Sequence, residues 1–213
     1  MKFLHSIVPL CIFVVSFFDS PFAAAGTRLE VDPTKSDILA VARRDGVLSF
    51  LAHDHAILAT KWTTDVCLHS DTRAKVKVRV ETNSLLIDTS DALAKANVES
   101  KISSSDRNSL QQKLMSARFL NAAQFPVISF ESSSVQKQSA SQWIMTGQFN
   151  LHGVSHPISV QIQQQGERLA GTFQIKQSDY GIEPESIAGV VKVKDEIEIR
   201  FNLAVKNSKI ACS

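Results

Sequence analysis

Residues 75–81 read KVKVRVE, and apolar and charged side chains alternate through the whole stretch. Successive side chains of a β-strand point to opposite faces, so Val76, Val78 and Val80 share one face and the charged residues share the other. One buried and one solvated face is typical of a strand in an antiparallel sheet. The stretch therefore predicts an antiparallel strand whose valines face the interior.

The same alternation recurs along most of the chain and predicts about eight strands. The other segments with this pattern, some less regular, are residues 36–43, 47–61, 63–69, 127–135, 143–152, 158–163, 169–176 and 196–205. Helices that could cover the apolar face are nearly missing, so the sheet must pair with a second sheet or close on itself. A sheet of about eight strands can close into a barrel whose interior is filled by side chains or holds one small ligand.

Residues 85–124 interrupt the strand pattern with a segment far longer than a hairpin loop. The polar residues 103–106 suit a helix N-terminus, and Leu110 and Leu114 follow at the i, i+4 spacing of a short amphipathic helix. Long insertions of this kind are either functional or disordered. We expect a short helical excursion here, near one mouth of the barrel.

The connection after this helix carries large apolar residues, Phe119, Leu120 and Phe125, where a polar loop would be usual. One explanation is ordinary packing of the helix. The other is that the segment closes the mouth of an apolar cavity.

The N-terminus resembles a secretory signal peptide. Lys2 precedes an apolar run over residues 7–18, and small residues at 23–25 suit cleavage before Gly26. We expect a signal peptide over residues 1–25 and one domain over residues 26–213; an uncleaved N-terminal anchor is the alternative.

The formal net charge is +2 and no long basic block is present, so we expect no nucleic-acid partner and no stable membrane insertion after cleavage.

Cys67 and Cys212 would remain after this cleavage. Export makes a disulfide chemically permissible, and the two residues could meet if the last strand lies beside an early one. The sequence does not fix the distance between them, so a bridge and two free thiols both remain open.

His53 and His55 are the candidate metal ligands. At positions i and i+2 of a strand both imidazoles could share a face, and His69, His152 or His156 could supply a third ligand for zinc or copper. The alternative is an edge-like strand with half-exposed histidines.

Two other polar segments are interpreted as loops. Residues 152–157 are typical of a hairpin connection, and the acidic residues around Tyr180 indicate a solvated loop.

A set of apolar side chains on the strands is predicted to face the interior. These residues either fill the barrel core or form the wall of a cavity for a long apolar ligand. The members that we expect to contact a ligand are Val76, Val78, Val80, Met145, Phe149, Phe173 and Phe201.

Four stretches together resemble the YceI-like family of bacterial periplasmic proteins. They are ARFLNAAQFPVISFESSSV (117–135), WIMTGQFNLHGVSHPISVQI (143–162), SDYGI (178–182) and VKDEIEIRFNLAV (193–205). The resemblance extends over about residues 29–206. Many members of the family have a single F-x-V-x-H near the N-terminal strands, whereas this chain has Phe50-Leu51-Ala52-His53-Asp54-His55.

The resemblance implies an all-β protein with an eight-stranded, antiparallel, lipocalin-like barrel around an elongated apolar pocket. Family members hold polyisoprenoid chains, such as isoprenoid quinones, or related amphiphiles, and carry no established catalytic set. This implies a periplasmic, non-enzymatic protein of a Gram-negative bacterium with an amphiphilic lipid as its partner and no other cofactor. Leu114, Phe119 and Phe125 would then join the ligand-binding residues near the entrance.

Two other functions remain open at this point. One is a metal-binding protein or metal-dependent enzyme built on His53 and His55. The other is a structural or stress-related interaction protein with a filled barrel. Homodimer formation is also left open.

Overall fold

The computed structural model describes residues 26–45, 53–70, 73–187 and 191–212. The predicted signal peptide lies outside these ranges, as does most of the first half of the strand predicted over residues 47–61. The elements of the described part are β1 (Gly26–Asp45), β2 (His55–Ala59), β3 (Trp62–Ser70), β4 (Arg73–Glu81), β5 (Leu85–Ile87), α1 (Ser90–Ala96), α2 (Ser104–Met115), β6 (Val127–Lys137), β7 (Gln142–Leu151), β8 (Val154–Gln165), β9 (Arg168–Lys176), β10 (Ser186–Ile187) and β11 (Val191–Cys212).

Eight of these strands close into an antiparallel barrel in the order β1–β3–β4–β6–β7–β8–β9–β11, with β11 pairing back onto β1. The predicted fold class is therefore confirmed. Three short strands extend the sheet at its ends, because β2 pairs with the later part of β1, β5 pairs with β2, and β10 pairs with β11.

The alternation in residues 75–81 has the predicted effect on β4. Val80 is buried and Val76 and Val78 are half-buried, whereas Lys77 is exposed. On the outer face the Lys77 Nζ atom lies 2.9 Å from a carboxylate oxygen of Glu131 on β6. The valines therefore face the barrel interior and the charges face water.

The β7–β8 connection is a tight hairpin of two residues, shorter than the loop predicted over residues 152–157. His152 and Gly153 have φ angles of 53° and 77°, and β8 begins at Val154. Positive φ at both central positions matches the twist of a two-residue hairpin. Gly153 is also required for space, since a Cβ atom there would lie 2.5 Å from the Phe125 ring.

The helical excursion contains both helices and confirms the predicted N-terminus of α2. The Ser103 hydroxyl caps α2 by accepting a hydrogen bond from the Asp106 amide at 3.1 Å. No side chain of α2 is fully buried, because its apolar residues Leu110 and Leu114 border an internal cavity. Within the described ranges, no helix is long and apolar enough to cross a membrane.

A disulfide joins Cys67 on β3 to Cys212 on β11, with 5.8 Å between the Cα atoms. The bridge is one of the two states that the sequence left open. It forms because the end of β11 and the start of β1 pair beside β3. Gly26 lies against the bridge, where a Cβ atom would be 2.7 Å from the Cys67 sulfur.

Candidate functional site

The described part of the barrel lines two apolar cavities, which we call the upper and lower compartments. The upper compartment has a volume of about 230 Å³ and lies beside α2. The lower compartment has a volume of about 140 Å³ and lies toward the disulfide end, where Leu29 and Val66 face it. A dry cavity of about 150 Å³ lined by Leu, Ile and Phe is large enough to bind benzene, so each compartment can hold part of an apolar molecule.

The lower compartment contains the ligand-binding residues predicted on the strands. All seven border it: Val76, Val78, Val80, Met145, Phe149, Phe173 and Phe201. Ser129 is the polar residue among the described side chains that line it. This compartment suits a hydrocarbon group with no hydrogen-bonding atoms.

The upper compartment is bordered by the helical excursion on one side and by strands on the other. Leu114 and Phe119, which are predicted to contact a ligand, line it together with Leu110 and Leu120. The segment after α2 therefore contributes to the wall of a cavity, which answers why its large apolar residues lie on a connection.

Five of the described residues line both compartments and form what we call the waist: Ile38, Val80, Ile128, Phe149 and Ile199. Phe149 is 8% exposed and contacts two aromatic rings edge-on, with ring centroids 5.7 Å from Phe173 and 5.8 Å from Tyr180. Because the two compartments share these residues, they lie next to each other inside the barrel.

Phe125 lies outside the walls of both compartments. Its ring packs against His152, with ring centroids 4.6 Å apart, and covers Gly153. Its carbonyl oxygen accepts a hydrogen bond from the Thr82 hydroxyl at 2.7 Å. The prediction that Phe125 contacts the ligand gains no support from this position, because the residue packs the excursion onto the β7–β8 hairpin.

Among the residues that the structure describes, the polar side chains lining the upper compartment are His55, Lys113, Gln177 and Glu185. Lys113 on α2 forms an ion pair with Glu185 at 2.8 Å. The Gln177 side chain donates a hydrogen bond to the Lys194 carbonyl oxygen at 2.9 Å. The cavity therefore has a polar border in the upper compartment and an almost wholly apolar lower compartment.

His55 forms a close pair with a buried carboxylate. Its Nδ1 atom lies 2.6 Å from Oδ2 of Asp88, whose side chain is fully buried. The other oxygen, Oδ1, accepts a hydrogen bond from the Ala56 amide at 2.8 Å. Asp88 has a φ angle of 50°, a left-handed conformation in which Asp and Asn are enriched. The turn between β5 and α1 thus holds the imidazole at the cavity wall.

His53 and Asp54 do not take part in this pair. His53 is exposed and precedes β2, which begins at His55. The Asp54 carboxylate accepts hydrogen bonds from the Arg44 amide at 3.0 Å and from the Arg43 side chain at 2.8 Å. Burial acts to raise the pKa of Asp54, but these hydrogen bonds and the two arginine charges outweigh it, so the pKa lies below its ordinary value.

The other candidate metal ligands are dispersed. His152 and His156 lie against the carbonyl oxygens of Tyr180 and Asp179, at 3.0 and 2.9 Å, and His69 lies beside Cys67. Among the residues that the structure describes, no three His, Cys, Asp or Glu side chains are grouped so that they could hold a metal ion.

Several lining residues were missed by the sequence analysis. Alternation along residues 127–135 could have identified Ile128, because it lies on the same face of β6 as Phe130. Of the acidic residues interpreted as a solvated loop, Asp179 and Glu183 are exposed, whereas Glu185 lines the upper compartment together with Ile182. Tyr180, in the same loop, is 2% exposed. Those contacts depend on where the loop folds back onto the barrel, which no local pattern specifies.

Comparison with known proteins identifies the family. The family described as YceI-like domain matches residues 29–205, well over half of the chain. A UPF0312 protein of Shewanella sp. (strain ANA-3) is 33% identical over 101 residues, which cover 42% of this chain and 53% of that protein. Protein YceI of Salmonella arizonae is 36% identical over 75 residues, which cover 34% of this chain and 39% of that protein. The chain thus aligns with about half of the length of these relatives, or less.

Solved structures share the fold at low sequence identity. BcnA of Burkholderia cenocepacia has a TM-score of 0.60 and 18% identity, over 83% of this chain and 99% of that chain. The Campylobacter jejuni YCEI protein has a TM-score of 0.50 and 16% identity, over 72% of this chain and 85% of that chain. The barrel and its apolar interior are consistent with binding of a hydrophobic ligand, and the chain belongs to the YceI-like domain family.

Proposed function

We propose that the protein is an exported binding protein that holds a long-chain, isoprenoid-like amphiphile in its barrel, for sequestration, transport or storage. The observation that carries the proposal is the pair of apolar compartments that share a waist, with all described polar lining side chains except Ser129 in the upper compartment. An amphiphile has the same distribution of properties, with a long apolar chain and one polar head.

The chain of such a ligand would occupy the lower compartment and pass the waist at Phe149 and Val80. Burial of apolar surface favours binding by about 25 cal/mol per Å². Ordering of the chain and loss of its free motion offset a large part of this gain. The head would lie in the upper compartment near Lys113 and Glu185, where polar atoms can replace its water contacts.

Export to the periplasm of a Gram-negative bacterium is part of the proposal. The N-terminal sequence has signal-peptide composition, and the disulfide between Cys67 and Cys212 is of the kind that persists in oxidising compartments. The proposed binding function requires no catalytic residue, and metal binding by His53 and His55 stays a separate prediction.

The test is retention of lipid by paired variants with a charge inside or outside the barrel. Phe173→Asp places a carboxylate in the lower compartment, whereas Thr172→Asp places it on the exposed face of the same strand. Leu114→Asp and Gln112→Asp form a second pair on α2, with Leu114 half-buried beside the upper compartment and Gln112 exposed. We expect folding to tolerate a charge at position 114 better than at position 173. Native mass spectrometry and extraction of the bound lipid measure retention, and circular dichroism checks folding.

We expect the inward variants to lose the lipid and the outward variants to keep it, because an ionised carboxylate is strongly disfavoured in an apolar cavity. Equal retention by folded Leu114→Asp and Gln112→Asp would remove the upper compartment from the binding site. Equal retention by all four variants would contradict the proposed function.

A further inference from the structure

His55 differs from the other polar side chains of the upper compartment in how it is held. Its side chain is 18% exposed, against 43% for Lys113, and it is fixed by a fully buried carboxylate rather than by a flexible partner. Asp88 is in turn fixed, because its backbone amide donates to the Ala56 carbonyl at 2.8 Å and its Oδ1 atom accepts from the Ala56 amide at 2.8 Å. The imidazole therefore has one orientation relative to β2.

This arrangement determines which ring nitrogen of His55 pairs with Asp88 and which faces no partner among the described residues. An ionised carboxylate only accepts hydrogen bonds, so pairing of an ionised Asp88 with His55 Nδ1 requires the proton to be on that nitrogen. The carboxylate thereby sets the orientation and tautomer of the ring. Over the described ranges, the structure gives the second nitrogen, Nε2, no hydrogen-bond partner, while His55 lines the cavity.

We propose that His55 recognises a hydroxyl head group, of an alcohol or a phenol, on the bound amphiphile, with Asp88 as the residue that positions the imidazole. This inference rests on the proposed lipid-binding function and specifies the chemical class of the ligand. The hydroxyl would pair with Nε2 while the apolar chain extends past the waist.

A hydroxyl fits Nε2 in either protonation state of the ring. In the neutral imidazole Nε2 accepts a hydrogen bond, and in the imidazolium it donates one. A hydroxyl group can donate and accept, whereas an ether or ketone oxygen can only accept and a hydrocarbon can do neither. A hydroxyl is therefore the simplest head group that satisfies this nitrogen in both states.

The test compares two probes, geranylgeraniol and the same isoprenoid chain with hydrogen in place of the hydroxyl. Binding is measured by displacement of a fluorescent fatty-acid probe from the delipidated full chain. The test variant is the double substitution His55→Phe and Asp88→Asn, since the asparagine avoids a buried unpaired carboxylate when the imidazole is removed. The matched control is His53→Phe, the same change at an exposed position two residues earlier.

We expect the double variant to bind the alcohol about tenfold more weakly, the loss of one net hydrogen bond, and the hydrocarbon within about twofold of the wild type. His53→Phe should bind both probes like the wild type. Unchanged alcohol binding in the double variant, or an equal loss for both probes, would overturn the assignment of His55 while leaving lipid binding intact. Failure of the wild type to bind either probe would overturn the proposed function and this inference together.

A second measurement on the unaltered protein does not depend on how the variants fold. Long-range ¹H–¹⁵N spectra of the histidine rings report the Nε2 resonance of His55. We expect this resonance to shift when the alcohol is added and to stay in place with the hydrocarbon. Identical spectra with the two bound probes would refute the proposed contact.

Discussion

Phe149→Ala is the substitution that addresses the waist most directly. The ring is 8% exposed, lines both compartments and contacts two aromatic rings edge-on. Its removal widens the waist between the two compartments and removes the aromatic contacts with Phe173 and Tyr180.

The magnitude follows from these contacts. Truncation of a buried Phe to Ala typically costs about 3–5 kcal/mol of unfolding free energy, and an edge-to-face aromatic pair contributes about 0.5–1.5 kcal/mol beyond area burial. Part of the Phe149 ring faces the cavities and has no packing partner there. We therefore expect a loss near the lower end of the range, about 3 kcal/mol, in the delipidated protein.

The assay is urea unfolding of the delipidated protein without and with an excess of geranylgeraniol. A ligand that binds the folded state raises the unfolding free energy by RT ln(1 + [L]/Kd). Loss of the ring's contact with the chain should weaken binding about tenfold, which lowers this increment by about 1.4 kcal/mol. Phe125→Ala is the matched control, because it makes the same change outside both compartments.

We expect Phe125→Ala to destabilise the protein by less than Phe149→Ala does and to leave the lipid-induced increment unchanged. The reasoning would be refuted if Phe149→Ala lowered the unfolding free energy by less than about 1 kcal/mol. So small a loss would mean that the ring is not packed as a buried waist residue. The reasoning would also be refuted if both variants lost the same part of the increment.

Three further predictions concern the frame around the cavity. Reduction of the disulfide between Cys67 and Cys212, 145 residues apart, should lower the unfolding free energy by about 2–5 kcal/mol in urea titrations, and an unchanged midpoint would contradict this. Gly153→Ala should cost at least about 1 kcal/mol more than Gly166→Ala, because both glycines have positive φ but a methyl group meets Phe125 only at position 153; equal losses would refute the contact. The lowered pKa of Asp54 implies a stabilisation that is present above pH 3.8, its ordinary pKa, and is lost as the pH falls through the lower pKa of the folded state. Asp54→Asn should therefore be less stable than the wild type by up to about 1 kcal/mol at neutral pH, and thermal melts should show this difference shrinking in acid rather than growing.

Local patterns were sufficient for the strands. The alternation in residues 75–81 and its repeats specify strands with one apolar face, and the near absence of helices leaves either a second sheet or closure into a barrel. The resemblance to the YceI-like family favoured the barrel. The inner wall followed from the same periodicity, so the seven strand residues predicted to contact a ligand all border the lower compartment. The capping serine at the start of α2 was likewise readable from its local chemistry.

The remaining features of the site depend on contacts between distant segments. Phe125 is a large apolar residue and was predicted to contact the ligand, yet its ring packs against His152 of the β7–β8 hairpin. Asp88 lies 33 positions from His55, and their pairing arises only when β5 docks on β2. Glu185 reaches the cavity because its loop folds onto α2. Periodicity describes which face a residue occupies within one element, and it carries no information on such docking.

The central claim is that the barrel holds an amphiphilic lipid, and native mass spectrometry of the full chain tests it most directly. The protein is expressed with its own N-terminus, purified from the periplasmic fraction without detergent, and measured before and after organic extraction. The account predicts a stoichiometric adduct that extraction removes and whose fragments show an isoprenoid repeat and a hydroxyl head group. A mass equal to that of the bare polypeptide, unchanged after incubation with geranylgeraniol, would contradict it.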